Sequence, residues 1–246
     1  MVEKNLEDTI EFFVPKLGLE VGSYIAAGQK QGIHHLGRYW WAIEVLKTMR
    51  PGRLIDVACG AGYGSHILAK HLPEFEIIGG DYDPRAVKYA RTHYQAPELP
   101  NLRYHQVDIV TWTDLRNQKS VGHVDYIVSF DTIEHLLHRE ITLVHFAEFL
   151  AEDGALLFST PCGRSANLLN PGWEHHKIEY SYRYLYNLMR RFFGEVLIPD
   201  DRSLPALEYW EQVINHGQSR YLLRNNPMVC RQPIHHGLGW FPEEEP

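Results

Sequence analysis

Cysteine is scarce in this chain of 246 residues: Cys59, Cys162 and Cys230 stand far apart, odd in number and without metal-ligand spacing. That argues against a disulfide framework and against a cysteine-held zinc site, and the expectation is a reduced, cytoplasmic protein. Basic charge is short as well. The 24 lysines and arginines face 31 acids, a formal net charge of −7, so the basic balance exploited by nucleic-acid binding is missing. No apolar run approaches the ~20 residues of a membrane-spanning helix. The opening Met1-Val2-Glu3-Lys4-Asn5 has neither the basic nor the apolar part of a signal peptide. Internal repeats and a linker that would mark off a second domain are also lacking.

What is present is ordinary in bulk: 44% hydrophobic and 22% charged residues suit one globular domain with a large core. Histidine is plentiful at 15, with pairs at His34-His35, His175-His176 and His235-His236. Adjacent side chains diverge, so a pair alone is a poor chelate and reads as polar loop.

Strand and helix signals alternate, which points to an α/β fold with a mostly parallel sheet and helices on both faces. Arg53 to Ala58, Glu76 to Gly80, Leu102 to Gln106, Asp125 to Ser129 and Ala155 to Ser159 read as strands. Gly64 to Leu72, Pro84 to Tyr94 and Ile141 to Leu150 read as helices, the last stopped by Asp153-Gly154. Asp83, before Pro84, is a natural N-cap. Ile33 to Met49 forms a leading helix able to bury Trp40, Trp41 and Leu46. Ser181 to Phe193 is amphipathic, Gly194 to Ile198 is a further strand and Met228 to Gln232 a last one. Residues around 200–224 pattern weakly and read as an insertion covering the site.

The richest stretch is Leu54-Ile55-Asp56-Val57-Ala58-Cys59-Gly60-Ala61-Gly62-Tyr63-Gly64-Ser65. A strand runs into a glycine loop and then a helix, so a ligand can lie against bare main chain. Some twenty-five residues on, Asp81 tips the next strand, where a carboxylate accepts from both hydroxyls of a ribose. The pair implies a nucleoside cofactor. A dinucleotide fingerprint reads Gly-x-Gly-x-x-Gly, whereas Gly60, Gly62 and Gly64 alternate. Asp56 would repel a pyrophosphate and suits a cation. S-adenosylmethionine has no phosphate and carries a sulfonium and an ammonium, so the charge pattern favours it over NAD. Tyr82 either packs on the adenine or is a loop aromatic.

This stretch resembles motif I of the class I S-adenosylmethionine-dependent methyltransferases. The likeness runs from Gly32 to Ile198 and is nearest to the small-molecule branch that includes the ubiquinone-biosynthesis O-methyltransferases. It implies a Rossmann-like sheet of seven strands, the last lying antiparallel between two others. It implies a helical cap over residues 1–50 and a cofactor-binding core over 51–246. Asp56, Ala58, Gly60, Gly62, Asp81 and Tyr82 would form the cofactor loop, with Phe130 at the end of the fourth strand. In Val107-Asp108-Ile109, Asp108 would accept from the adenine amino group and the backbone of Ile109 would meet the ring. Gly32-Ile33-His34-His35-Leu36-Gly37-Arg38-Tyr39 is similar to a His-Leu-x-Arg-Tyr segment, by which Arg38 meets the cofactor carboxylate and Tyr39 closes over the adenosine.

Two further segments complete the likeness. Asp131-Thr132-Ile133-Glu134-His135 matches an acid-x-x-acid-His set associated with a divalent cation in that group, so Asp131, Glu134 and His135 would hold Mg²⁺. His135 is alternatively a general base or a structural residue. Phe158-Ser159-Thr160-Pro161-Cys162-Gly163 resembles Ser-Thr-Pro-Asn with Cys162 in place of the amide. His176, in His176-Lys177-Ile178-Glu179-Tyr180-Ser181, either faces the acceptor or makes a loop–helix contact, and Ser181 would cap the helix that follows.

The expected activity is methyl transfer to a small-molecule or glycoconjugate acceptor, at oxygen rather than nitrogen, with His135 and His176 as catalytic residues. A noncatalytic partner subunit of the same fold is one alternative. A NAD-dependent oxidoreductase is another, although Tyr180 to Tyr184 lacks the lysine of a Tyr-x-x-x-Lys pair. Nucleic-acid methylation is disfavoured, because Ser129-Phe130-Asp131-Thr132 stands where an Asn/Asp-Pro-Pro-Tyr/Phe motif would be. The assembly state is open between monomer and homodimer.

Overall fold

Side chains alternate across a strand, so one buried on both faces must be apolar at nearly every position. Leu54-Ile55-Asp56-Val57 meets that condition, with Leu54 in one core cluster and Ile55 and Val57 in the other. The computed structural model describes residues 6, 12–15, 30–163, 174–199 and 227–239. In chain order it shows α1 (Lys30–Leu46), β1 (Arg53–Val57), α2 (Tyr63–His71), β2 (Glu76–Asp81), α3 (Pro84–His93) and β3 (Leu102–Asp108). There follow β4 (Thr113–Asp114), β5 (Lys119–Ser120), β6 (Val124–Phe130), α4 (Arg139–Phe149) and β7 (Leu150–Ser159). The remainder is β8 (Cys162–Gly163), β9 (Tyr180–Ser181), α5 (Tyr182–Phe192), β10 (Phe193–Leu197) and β11 (Met228–Pro233).

The main sheet has the order β10-β11-β7-β6-β1-β2-β3-β4-β5. Strands β3, β2, β1, β6 and β7 are parallel, and β11 runs antiparallel between β7 and β10, as the family likeness implies. Nine strands replace the expected seven. The extra two are β4 and β5, two-residue strands that extend the β3 edge antiparallel and are too short to show a sequence period. Helices α1, α2 and α3 pack on one face through Trp41, Ile43, Leu68 and Val87, while α4 and α5 cover the other through Leu143, Phe146, Leu188 and Phe192. In α1, Trp41 and Leu46 are buried and Trp40 is half-buried against the same cluster.

One boundary needs correction. Asp153-Gly154 does not stop a helix; α4 ends at Phe149, Leu150 turns straight to extended backbone, and Gly154 lies inside β7. A Cβ on Gly154 would come within 2.3 Å of the Asp125 carbonyl, so glycine is there for close strand approach. The Asp83 cap is present, its side chain accepting from the Arg85 amide at 2.8 Å. The insertion around 200–224, the Cys162 thiol and the Ser181 hydroxyl lie outside the described residues and side chains. Among the described residues no helix is long and apolar enough to cross a membrane.

Candidate functional site

In a parallel sheet the loops beyond the strand carboxyl ends enclose the natural crevice. Here a cavity of about 1250 Å³ opens there, lined from the tips of β1, β2, β3 and β6 and from α1, with Pro161 and the segment His175 to Lys177 at its far end. Phe12 and Phe13 reach it from the N-terminal side; Phe13 stacks on His35 at 4.7 Å.

The glycine loop leaves β1 through left-handed backbone at Ala58 (φ 53°) and Gly60 (φ 56°). Gly62 (φ 88°) opens α2, and a Cβ there would stand 2.4 Å from that of Ala90, so both conformation and space demand glycine. Asp81 ties this loop to the next: its carboxylate accepts from the Gly60 amide at 2.8 Å and the Asp83 amide at 2.9 Å. Burial pushes its pKa up to about 6, against those amides. Each oxygen keeps a second lone pair for a ligand hydroxyl. Asp108, on the cavity wall at the end of β3, accepts from the Val110 amide at 2.9 Å, and Ile109 lies beside it.

Asp56 is not on the wall. It is fully buried beneath the loop, accepting from Ser65 Oγ at 2.6 Å and from the Tyr39 hydroxyl at 3.2 Å, and burial pushes its pKa up to about 7. Gly62 is off the wall too; Arg38, Ala58, Gly60, Asp81, Tyr82, Asp108, Ile109 and Phe130 are on it.

At the end of β6, Asp131 adopts left-handed backbone (φ 49°) and donates its amide to the Ser159 carbonyl at 2.9 Å. Both its oxygens accept from the two terminal nitrogens of Arg38, a residue only 1% exposed. Burial alone would raise the Asp131 pKa, but the Arg38 charge and the hydrogen bonds from His35 and Arg38 hold it well below the usual carboxylate range. Arg38 Cζ lies 5.6 Å from the Phe130 ring centre. Its Nε has no hydrogen-bond partner among the described residues.

The turn Ile133–His135 follows, docked by the Lys177 amide donating to the Glu134 carbonyl at 2.6 Å. Glu134 is fully buried. One oxygen accepts from Thr160 Oγ1 at 2.7 Å, the other lacks a hydrogen bond among the described residues, and burial with the nearby Asp131 charge pushes its pKa up to about 8. His135 Nδ1 donates to the His175 carbonyl at 3.1 Å, which places the lone pair of the neutral ring on Nε2. Burial, then the neighbouring His176, lowers its pKa. His176 lies edge-on to His135, ring centres 4.9 Å apart, and pairs through Nδ1 with Glu179 at 2.7 Å. The arrangement therefore brings His135 and His176 to the cavity on the β6 side of β1 and the carboxylates Asp81 and Asp108 to its β2–β3 side. His35 and His175, read from the sequence only as members of polar-loop pairs, also line it, His35 from within α1 and not from a loop, as do Leu137 and His138, which the sequence did not single out.

The Mg²⁺ expectation meets a different arrangement. Asp131 is engaged by Arg38, and the ligand atoms that gather are those of Glu134, His135 and His176, all within 4.8 Å of one another. Mg²⁺ requires hard oxygen ligands in near-octahedral array. One carboxyl pushed toward neutrality and two imidazoles do not fit it.

Comparison with known proteins agrees with this geometry. A family profile described as a methyltransferase domain matches residues 50–212. The chain is 28% identical over 108 residues to a malonyl-[acyl-carrier protein] O-methyltransferase of Paenibacillus sp., covering 44% of this chain and 38% of that protein. It is 29% identical over 118 residues to a ubiquinone biosynthesis O-methyltransferase of Coxiella burnetii, covering 48% and 47%. The chain thus spans half or less of the length of the curated relatives it matches. Among solved structures, the CurJ carbon methyltransferase superposes with a TM-score of 0.61 at 18% identity, covering 86% of this chain and 59% of that one. A TehB-like S-adenosylmethionine-dependent methyltransferase of Corynebacterium glutamicum gives 0.53 at 17% identity, covering 86% and 97%. At such identities these likenesses show the fold.

Proposed function

Because the chain belongs to the methyltransferase-domain family, we propose that it moves the methyl group of S-adenosylmethionine to an oxygen of a small-molecule or sugar-containing acceptor. The observation that carries the reading is one cavity with two unlike ends. Asp81, Asp108 and the bare loop at Gly60 line one end, and His135 and His176 line the other. The O-methyltransferases among the similar proteins support oxygen as the acceptor atom.

The residues present fit the cofactor. Asp81 accepts from the ribose hydroxyls, Asp108 and the Ile109 backbone receive the adenine, and the partnerless Nε of Arg38 is a buried donor suited to a carboxylate. Phe12, Phe13 and the α1 residues His35, Arg38 and Tyr39 line the cavity, which supports the reading of the N-terminal region as its helical cap. When bound, S-adenosylmethionine supplies a methyl carbon open to in-line displacement. The protein's main contribution is then to hold the acceptor oxygen in line, and such orientation supplies ~7–11 kcal/mol of a barrier. His135 takes the acceptor proton at Nε2: the His175 carbonyl fixes its tautomer, and its lowered pKa keeps the ring neutral near pH 7. His176, held through Nδ1 by Glu179, flanks the same acceptor.

Calorimetric titration of the purified protein with S-adenosylhomocysteine and, separately, with NADH tests the reading. Binding of the first and not the second is expected. Binding of NADH alone would replace methyl transfer with hydride transfer, and binding of neither would favour a noncatalytic subunit.

A further inference from the structure

A carboxylate beside a buried cavity needs a cation, and in this chain the sequence of α1 supplies one. We propose that the guanidinium of Arg38 takes the place of a hard divalent cation on the Asp131–Glu134–His135 segment, so that the site works without bound Mg²⁺. The inference goes beyond the methyl-transfer reading and does not rest on the identity of the acceptor.

Four observations carry it. Arg38 is 1% exposed, and its two terminal nitrogens occupy both oxygens of Asp131, the geometry in which a planar fork meets a carboxylate. The pair is walled in: His35 Nδ1 lies 2.9 Å from Arg38 Nη2 and 3.4 Å from the Asp131 carboxylate, and Phe130 lies under the guanidinium. Asp131 is held in a backbone conformation unusual for a residue with a Cβ, and its amide is fixed to Ser159, so the carboxylate is committed to this direction. Finally, Glu134 is fully buried with one oxygen held by the Thr160 hydroxyl, so the neighbouring acid is itself fixed.

The chemistry of the occupant decides the rest. Arginine stays protonated at any pH the fold tolerates, so the position is never vacated by titration. A dication on the same carboxylate would face the guanidinium across a few ångströms and be repelled. Without Asp131, Glu134, His135 and His176 are left as one carboxyl and two imidazoles, short of the hard oxygens that a cation such as Mg²⁺ requires. A fixed guanidinium also differs from a metal in function: it needs no loading, and it keeps Asp131 ionised and immobile beside the cavity.

The test is a metal titration that needs neither cofactor nor acceptor, so its failure would leave the methyl-transfer reading intact. Chelator-treated wild-type protein is followed by thermal shift and by electron paramagnetic resonance of Mn²⁺, with Mg²⁺ as a further thermal arm. The expected result is a melting temperature constant within about 1 °C and no bound-Mn²⁺ signal, since a ligand that binds only the folded state raises it by mass action. Stoichiometric Mn²⁺ or Mg²⁺ binding in the wild type, abolished by Glu134→Gln, would overturn the proposal. Arg38→Met frees Asp131 and is expected to melt lower, then to regain several degrees with Mn²⁺ and show the bound-ion spectrum. A folded Arg38→Met protein that ignores every cation would also overturn it. Should Arg38→Met fail to fold, Arg38→Gln carries that arm, and the wild-type titration decides on its own.

Discussion

The two ends of the cavity are built by different means. The cofactor end is made of strand tips: Asp81 and Asp108 close β2 and β3, and each is locked by backbone amides no more than two residues away or on the adjoining loop. The acceptor end is made of contacts between distant segments. His135 leans on the carbonyl of His175, and the Glu134 carbonyl receives the Lys177 amide, forty or so residues along. Local backbone order fixes the first end before any ligand arrives. The second exists only once β7 and the segment beyond it have docked. The lesson is that binding and chemistry are secured on different length scales of the chain.

The largest effect should come from striking the chemical end alone. His135→Ala removes the proposed base while leaving the β1–β2 loops untouched. Turnover should fall by ~10²–10⁴, the usual range for a positioned acid–base group, with the dissociation constant of S-adenosylhomocysteine changed by less than about threefold. Parallel turnover and calorimetry measure both. A matching loss of cofactor affinity would merge the two ends into one unit and break the comparison.

Striking the cofactor end should give the converse. Asp81→Ala removes the acceptor for two ribose hydroxyls and also releases the Gly60 and Asp83 amides. Charged hydrogen bonds are worth ~1.5–3 kcal/mol each, so S-adenosylhomocysteine should bind about 10²- to 10⁴-fold more weakly. The wild type carries a pH version of the same experiment. With the Asp81 pKa near 6, affinity should be level above pH 7 and decline as pH falls through about 6. A flat profile between pH 5 and 7.5 would take Asp81 out of ribose binding.

Legibility from sequence follows the same division. The alternation of strands and helices, the glycine loop and the acid at Asp81 could be read because each is a local pattern with a local cause, whereas Asp108 was reached only through the family likeness. Met228 to Gln232 could be placed between its neighbours only through the family likeness, since antiparallel insertion is a long-range event. Strands β4 and β5 were invisible at two residues each. Asp56 illustrates the hardest case: a carboxylate in the right motif lies behind the wall, spent on Ser65 and Tyr39. The pairing of Arg38 with Asp131, 93 residues apart, has no signature in spacing at all.

Asp56 also gives an effect of intermediate size, on stability rather than binding. Its pKa rises from 3.8 to about 7 on folding, so the folded state keeps a proton that the unfolded chain has already released. Its contribution to stability is therefore full below about pH 4 and is lost as pH climbs to 7. Asp56→Asn does not titrate. The stability of this variant relative to wild type should rise between pH 4 and 7, on the order of a few kcal/mol, and level off above. Urea denaturation at pH 4.5, 6 and 8 measures it. A difference that stays constant would mean that Asp56 ionises normally and belongs with the ligand-facing acids after all.

The smallest effect belongs to Tyr82, which stands on the cofactor wall yet is 67% exposed. Its neighbours Asp81 and Asp83 are fixed by hydrogen bonds, so the ring is the one part of this tip that solvent can reach freely on both faces of its motion. Packing an adenine against a ring so exposed is worth on the order of 0.5–1 kcal/mol, about a two- to fivefold change in affinity. Tyr82→Ala should therefore weaken S-adenosylhomocysteine binding by that factor, and Tyr82→Phe by none. Calorimetry on the three proteins resolves it. A loss of tenfold or more would mean that the ring closes over the bound nucleoside, so that the cofactor end, too, completes itself only after binding.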